Sequence, residues 1–299
     1  AARLKSDLQV PEAVGEALAL YLMFAIGFKG GVEVARAGDL DALAALAALG
    51  LLLSFLLPLP AYGLLRTLGR LDRVTAAATA AHYGSISVVT FLAASAFLER
   101  SGIAFDPSLV AIVALMETPA ILTGLLLAGG AGSAGPARRS GLLREVLVNG
   151  SVVLLVGAFV IGWITGEAGM ARLQPFVVDL FPGILAFFLL DLGLVAARSL
   201  AKAPPLRPGL LLFAWLMPLL GAASALLLAR LAGLSVGDGT ILMVLAASAS
   251  YIAVPAAMRL ALPKANPGIY VTLSLCLTFP FNVALGLPLY LWAAGLLLA

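Results

Sequence analysis

Histidine and cysteine each occur once in this chain, as His82 and Cys276, and charged residues make up only 11% of it. One thiol and one imidazole cannot build a disulfide framework or a Cys/His metal cluster, so both classes are excluded. The sequence also lacks an HExxH helix, a GxSxG elbow and a phosphate-binding glycine loop. Hydrolysis within a membrane would need Ser85 or Ser87 activated by His82, neighbours too close in sequence to guarantee reach. An intramembrane hydrolase is therefore kept only as the enzyme-class alternative, and the expectation is that the chain is not an enzyme. Scarce charge excludes an ordinary soluble domain, in which about a quarter of the residues are charged.

Hydrophobic residues fill the space instead, as 62% of 299 residues with a mean hydropathy of +1.10. Apolar runs near the roughly 20 residues that span a bilayer follow one another with short loops between, which predicts an all-α polytopic membrane protein. Spans are expected at roughly 12–35, 41–64, 74–98, 107–129, 145–165, 176–199, 208–232, 240–262 and 268–298. A net charge of +3 would suit nucleic acid, but the basic residues fall in inter-helix loops, where membrane topology accounts for them.

Residues 78–98, ATAAHYGSISVVTFLAASAFL, could cross a bilayer, yet Gly84, Ser85 and Ser87 interrupt them at mid-depth. A near-copy stands at 243–262, MVLAASASYIAVPAAMRLAL. Setting Thr90 against Pro255 sets Ser85 against Ser250 and Gly84 against Ala249. Two further matches keep the same order: Leu22-Met23-Phe24-Ala25-Ile26-Gly27 with Phe188-Leu189-Leu190-Asp191-Leu192-Gly193, and Glu117-Thr118-Pro119 with Thr278-Phe279-Pro280. Interrupted segments at corresponding places in two halves point to inverted repeats with a substrate site between them, and hence to a transporter. A passive channel would need a continuous polar stripe, which the sequence does not contain.

The repeats are placed at 1–128 and 144–299, joined by a linker at 129–143 whose Gly, Ala and Ser content makes it flexible. The span at 145–165 has no counterpart in the first half, so a first helix is expected ahead of Ala1, completing a five-plus-five arrangement with two interrupted crossover helices. A cleaved signal peptide is the rival account. Thirteen Lys and Arg, among them Arg66, Arg138, Arg198 and Arg259, fall on one side, against Arg36, Arg100, Arg172 and Arg230 on the other. By the positive-inside rule the linker is cytoplasmic and the carboxyl terminus lies outside, in the periplasm of a bacterial inner membrane.

A helix broken inside the bilayer presents free amides at one end and free carbonyls at the other, attracting an anion and a cation respectively. The small residues of Tyr83-Gly84-Ser85-Ile86-Ser87 and Ala247-Ser248-Ala249-Ser250-Tyr251 would let a ligand approach that backbone, with hydroxyls as oxygen ligands. The competing reading is close helix packing, for which small residues also serve. Neutral oxygens suit a small monovalent cation or an oxyanion.

Ionisable residues within spans face a cavity or a partner, since charge at mid-bilayer costs at least roughly 2.5–3.5 kcal/mol. Glu117 could bind a cation, relay a proton or pair with another span. Lys29 is expected to pair with Asp191, its candidate in the related segment, while Glu33, four residues on, offers an i,i+4 pair. A Lys29 turned instead toward the breaks would replace a cation as the partner of a bound anion. His82 is either a neutral hydrogen-bonding partner or a proton-coupling group. Pro119, Pro218, Pro255, Pro280 and Pro288 lie inside apolar runs and are expected to kink them.

The stretches from Ala81 to Phe91, from Glu117 to Ala120 and from Ala247 to Ala256, with Ala265-Asn266-Pro267, resemble the sodium-dependent bicarbonate transporter family known from cyanobacteria. Gly27, Gly30 and Gly31, after Val10-Pro11-Glu12-Ala13, extend the resemblance over nearly the whole chain. It implies bicarbonate import with sodium by an elevator-like movement, interleaved core and gate subdomains, and a homotrimer. On matched positions Gly84, Ser85, Ser87, Thr90, Glu117, Ser248 and Ser250 would contact bicarbonate or sodium, with sodium at Ser85, Ser87, Thr90 and Ser250. The chain departs from the family pattern in Tyr251, which stands where an acid follows the second crossover, and in Lys29. The linker is also shorter than the cyanobacterial loop that helps dock a PII-type regulatory protein, so that partner is retained through other surfaces, altered or absent. Coupling to protons or to no cation, as an anion carrier or exchanger, is the alternative function.

Overall fold

The computed structural model describes residues 10–37, 40–106, 109–129, 150–201 and 205–299. All but Gly129 of the linker expected at 129–143 lies outside them, as do the first nine residues. Among the described residues every regular element is a helix: α1 (Glu12–Ala37), α2 (Leu40–Leu56), α3 (Pro58–Thr67), α4 (Arg73–Gly84), α5 (Val88–Arg100), α6 (Val110–Leu115), α7 (Glu117–Leu127), α8 (Gly150–Gln174), α9 (Phe181–Ala201), α10 (Pro208–Leu231), α11 (Val236–Ala247), α12 (Ala253–Ala261), α13 (Pro267–Val271) and α14 (Leu287–Leu297).

Six helical stretches among the described residues are long and apolar enough to cross a membrane: Ala13–Arg36, Ala44–Thr67, Arg73–Arg100, Val156–Arg198, Pro208–Leu231 and Pro267–Leu297. The nine expected spans differ from these for local reasons. The runs at 145–165 and 176–199 merge into the Val156–Arg198 stretch, bent at Gly166, whose φ of 51° only a glycine adopts without strain. The run at 240–262 divides into α11 and α12, and that at 107–129 into α6 and α7.

Three π-helical stretches, Pro175–Asp179, Thr272–Thr278 and Asn282–Gly286, share one cause. Each contains the residue four before a proline, namely Val178 before Pro182, Cys276 before Pro280 and Ala284 before Pro288. A proline offers no N–H to that carbonyl and its ring pushes against it, so the turn widens. Of the expected kinks, only Pro218 sits deep inside an α-helix. Pro119 and Pro255 fall in the first turns of α7 and α12, where the missing N–H has no acceptor within that helix to lose, whereas Pro288 follows the widened turn at Asn282–Gly286.

The helices pack in two groups. In one, α1 lies along α8 and also meets α9. Backbones touch there because Gly31 and Gly162 lack side chains: a Cβ on Gly31 would overlap the Phe159 carbonyl, and one on Gly162 the Phe28 carbonyl. In the other, α4 packs on α3 and α7, α10 on α11, and α11 on α5 and α14. This second group brings the ends of α4, α5, α11 and α12 together in the interior.

Candidate functional site

Two polar breaks meet at this centre. The first begins where α4 stops: Asp72 caps the helix by accepting from the Val74 and Thr75 amides at 3.0 Å, and residues 75–84 run fully buried to Gly84. Gly84 is required because a Cβ there would strike the Pro58 ring and the Ser54 carbonyl. Ser85 is extended, and Ser87 restarts the chain as the cap of α5, accepting from the Thr90 amide at 3.2 Å. The second break follows α11, whose own start is braced by Ser235 and by Asp238, which accepts from the Asp106 amide at 2.6 Å. Ser248 is extended like Ser85, and α12 begins after Ile252 with no side-chain cap.

The breaks are tied to each other. The Ser250 amide donates to the His82 carbonyl at 2.8 Å, and the Ser87 amide donates to Ser248 Oγ at 3.0 Å. Ser248 Oγ in turn donates to the Leu245 carbonyl at 2.8 Å, and Ser250 Oγ accepts weakly from the Val254 amide at 3.4 Å. The hydroxyls of Ser87, Ser248 and Ser250 are thus engaged within the protein. Those of Ser85 and Thr90 are not: both are 1% exposed and neither finds a hydrogen-bond partner. The Tyr251 hydroxyl lies beside Ser87 yet closes no hydrogen bond. At the start of α5, the Val88 and Val89 amides find no acceptor among the described residues.

His82 is fully buried, with Nδ1 2.7 Å from the Ala78 carbonyl, the ring stacked on Tyr270 at 4.5 Å, and Nε2 without a partner. Glu117 opens α7, and its side chain lies outside the described set. Around the breaks stand polar residues that the sequence reading did not take as site residues, although Tyr83 and Thr278 lie in the motifs it compared. Tyr83 shares a 2.8 Å hydrogen bond with Thr278, which donates to the Ala214 carbonyl at 2.9 Å. Asn282 reaches the Ala247 carbonyl at 2.8 Å. A lone asparagine in an otherwise apolar run was the available signal.

The expected ion pairs are corrected. Lys29 Nζ lies 3.7 Å from Glu99 and 4.8 Å from the centre of the Phe181 ring, not beside Asp191. Asp191 is buried against Gly15, where a Cβ would come within 2.6 Å of its Oδ2, and its Oδ1 has no hydrogen-bond partner. Gly15 and Lys29 are 14 residues apart on α1, roughly 21 Å at 1.5 Å per residue, so one acid cannot serve both. Glu33 bonds to Arg36, which also holds Glu167, rather than to Lys29. Nor does Lys29 face the breaks, since its partner Glu99 sits nine residues, roughly 14 Å, beyond Thr90 on α5.

Two cavities flank the far half of α5. One of about 50 Å³ includes Lys29, Ser95, Glu99 and Phe181 in its wall, and one of about 590 Å³ includes Phe97, Arg100, Leu185 and Leu287. Neither is lined by residues 84–87 or 248–251. Among the described residues no group of three His, Cys, Asp or Glu could hold a metal. Hydroxyl oxygens and free amides are the available ligands: the amides can only donate, which selects an anion, whereas a hydroxyl can donate to an anion or present its lone pair to a cation.

Such an arrangement defines a helical membrane protein with a buried polar centre made from broken helices, whose described side chains at the breaks are hydroxyls. The chain belongs to the Na+-dependent bicarbonate transporter superfamily, whose profile matches residues 1–295. It is thus a member of a transporter family and not an enzyme. No curated protein matches it in sequence.

Proposed function

We propose that the chain imports bicarbonate together with sodium, binding the anion at the first break. The observation that carries this reading is the pair of buried, unpartnered hydroxyls, Ser85 and Thr90, on either side of the Val88 and Val89 amides, which find no acceptor among the described residues. Bicarbonate is a planar oxyanion with one O–H. Amides at a helix start and two hydroxyls supply several donors and an acceptor for that O–H without a fixed positive charge. Sodium is an oxygen-seeking monovalent ion, and Ser85, Thr90 and Tyr251 are neutral oxygens able to share it. A movement of the α4–α5 and α11–α12 group against the α1, α8 and α9 group, with the halves as inverted repeats, would alternate access in the manner of an elevator. A cytoplasmic linker, a homotrimer and an inner-membrane location belong to the same reading.

Full-length protein in liposomes is expected to accumulate labelled bicarbonate when sodium is imposed outside, and not when potassium replaces it. Uptake that ignores sodium and follows a proton gradient would favour a carrier or exchanger of different coupling. His82 supports that second reading, because its Nε2 is buried without a partner and its carbonyl holds the second break.

A further inference from the structure

Asn282 is a buried polar side chain that ligand binding at the first break does not use. It is 1% exposed and stands at the start of the π-helical stretch Asn282–Gly286. Its Nδ2 donates to the carbonyl of Ala247, the last residue of α11, at 2.8 Å, and its Oδ1 accepts from the Tyr290 hydroxyl at 2.8 Å. Gly286 makes the space for this pair: a Cβ there would come within 3.0 Å of Asn282 Oδ1 and 2.9 Å of the Tyr290 ring. The Tyr290 hydrogen bond fixes the amide so that its NH2 group, and not its oxygen, faces Ala247.

The final carbonyls of a helix that stops inside a membrane carry partial negative charge and have no water to turn to. In α11 two of them are held by the protein itself. Leu245 accepts from Ser248 Oγ, and Ala247 accepts from Asn282. The residues that follow at once are those that grip the first break, Ser248 at the Ser87 amide and Ser250 at the His82 carbonyl. A rotation of the Ala247 peptide would therefore swing both grips away.

We propose that Asn282 is a positioning residue. Its neutral amide anchors the end of α11 in the direction that lets Ser248 and Ser250 hold the first break, and Tyr290 and Gly286 keep its donor end turned to the task. Its consequence for transport rests on the reading of the first break as the bicarbonate site; the anchoring itself does not.

The test is amide hydrogen exchange on the full chain in lipid nanodiscs at pH 5, with labelled bicarbonate uptake measured separately. Asn282→Leu removes the donor, and residues 248–252 are expected to exchange about tenfold faster while α4 and α7 keep their protection. Asn282→Asp, a buried acid that stays neutral at that pH and retains an O–H donor, is expected to restore wild-type protection. Leu at 282 without faster exchange at 248–252, or Asp that fails to rescue it, overturns the proposal. Should Leu loosen α4 and α7 too, Tyr290→Phe decides: faster exchange confined to 248–252 supports the anchor, and unchanged exchange refutes it. A wild-type chain that moves no bicarbonate would instead sink the substrate reading and leave the exchange result standing.

Discussion

The two breaks have matching sequences and different chemical states. At the second break the serine hydroxyls and two carbonyls at the end of α11 are spoken for: Ser248 bonds both to Leu245 and to the Ser87 amide, Ser250 meets the Val254 amide, and Asn282 holds Ala247, while the Tyr251 hydroxyl closes no hydrogen bond. At 85–90 two buried hydroxyls have no partner, and the Val88 and Val89 amides find no acceptor among the described residues. On the proposed reading, equivalence in sequence is divided into a brace and a binding surface. Burying an unpaired hydroxyl costs about 1–3 kcal/mol, so these two are retained against stability, as expected of groups kept for a ligand.

Substitutions can break this contrast. The largest effect is expected from removing the free hydroxyls: Ser85→Ala or Thr90→Val should lower bicarbonate uptake by about tenfold or more, the equivalent of one lost hydrogen bond to a charged ligand. Neither variant should unfold more easily than wild type, and loss of the unpaired hydroxyl should stabilise the fold by about 1–3 kcal/mol, because no protein partner is stranded. Thermal unfolding measured beside the uptake assay checks both halves of the statement.

Ser248→Ala reverses the pattern. It strands the Ser87 amide in the interior, and stability should fall by about 1–3 kcal/mol in a denaturation series. Next comes the cap that launches α4 toward the first break. Asp72→Ala should cost about 0.5–2 kcal/mol. Burial alone would raise the Asp72 carboxyl pKa, but the hydrogen bonds from Thr75 and Val74 outweigh it and bring the group below its ordinary value. The cap's contribution is therefore complete above the unfolded-state pKa and lost as pH falls through the lower folded one. A stability profile between pH 6 and pH 3 should show that loss in the wild type and not in Asp72→Ala.

The smallest effect is reserved for Lys29→Ala. Its ion pair with Glu99 is long and half in solvent, with side chains 25% and 52% exposed. Such a pair is worth under about 1 kcal/mol, and the Phe181 contact adds about as much again. Sodium dependence of uptake should not change, since the ammonium is remote from both breaks.

Much of this was legible in the residues. Gly84, Ser85 and Ser87 stand out in an apolar run because a membrane span gains nothing from them, and the helix does stop there. Asp191 was legible as a buried acid, but its partner was not. Alignment of two segments says that they are alike, not that they touch, and only the packing of α9 on the first turns of α1 shows that Asp191 lies opposite Gly15. Asn282 escaped because one polar residue in a hydrophobic helix carries no period and no motif. The π-helical stretches escaped as well, although each is written in a proline that follows four residues later. A kink was expected at Pro280 and Pro288, and a widened turn is how the helix accommodates each of them.

The division of labour between the breaks is tested most directly by melting wild type, Ser85→Ala and Ser248→Ala with and without saturating sodium bicarbonate. A ligand that binds only the folded state at 100 times its Kd adds about 2.7 kcal/mol. Wild type and Ser248→Ala should both gain stability from the salt, the latter from a lower starting point, and Ser85→Ala should gain little. A Ser85→Ala chain that keeps the full gain, beside a Ser248→Ala chain that loses it, would place the ligand at the second break and contradict the account.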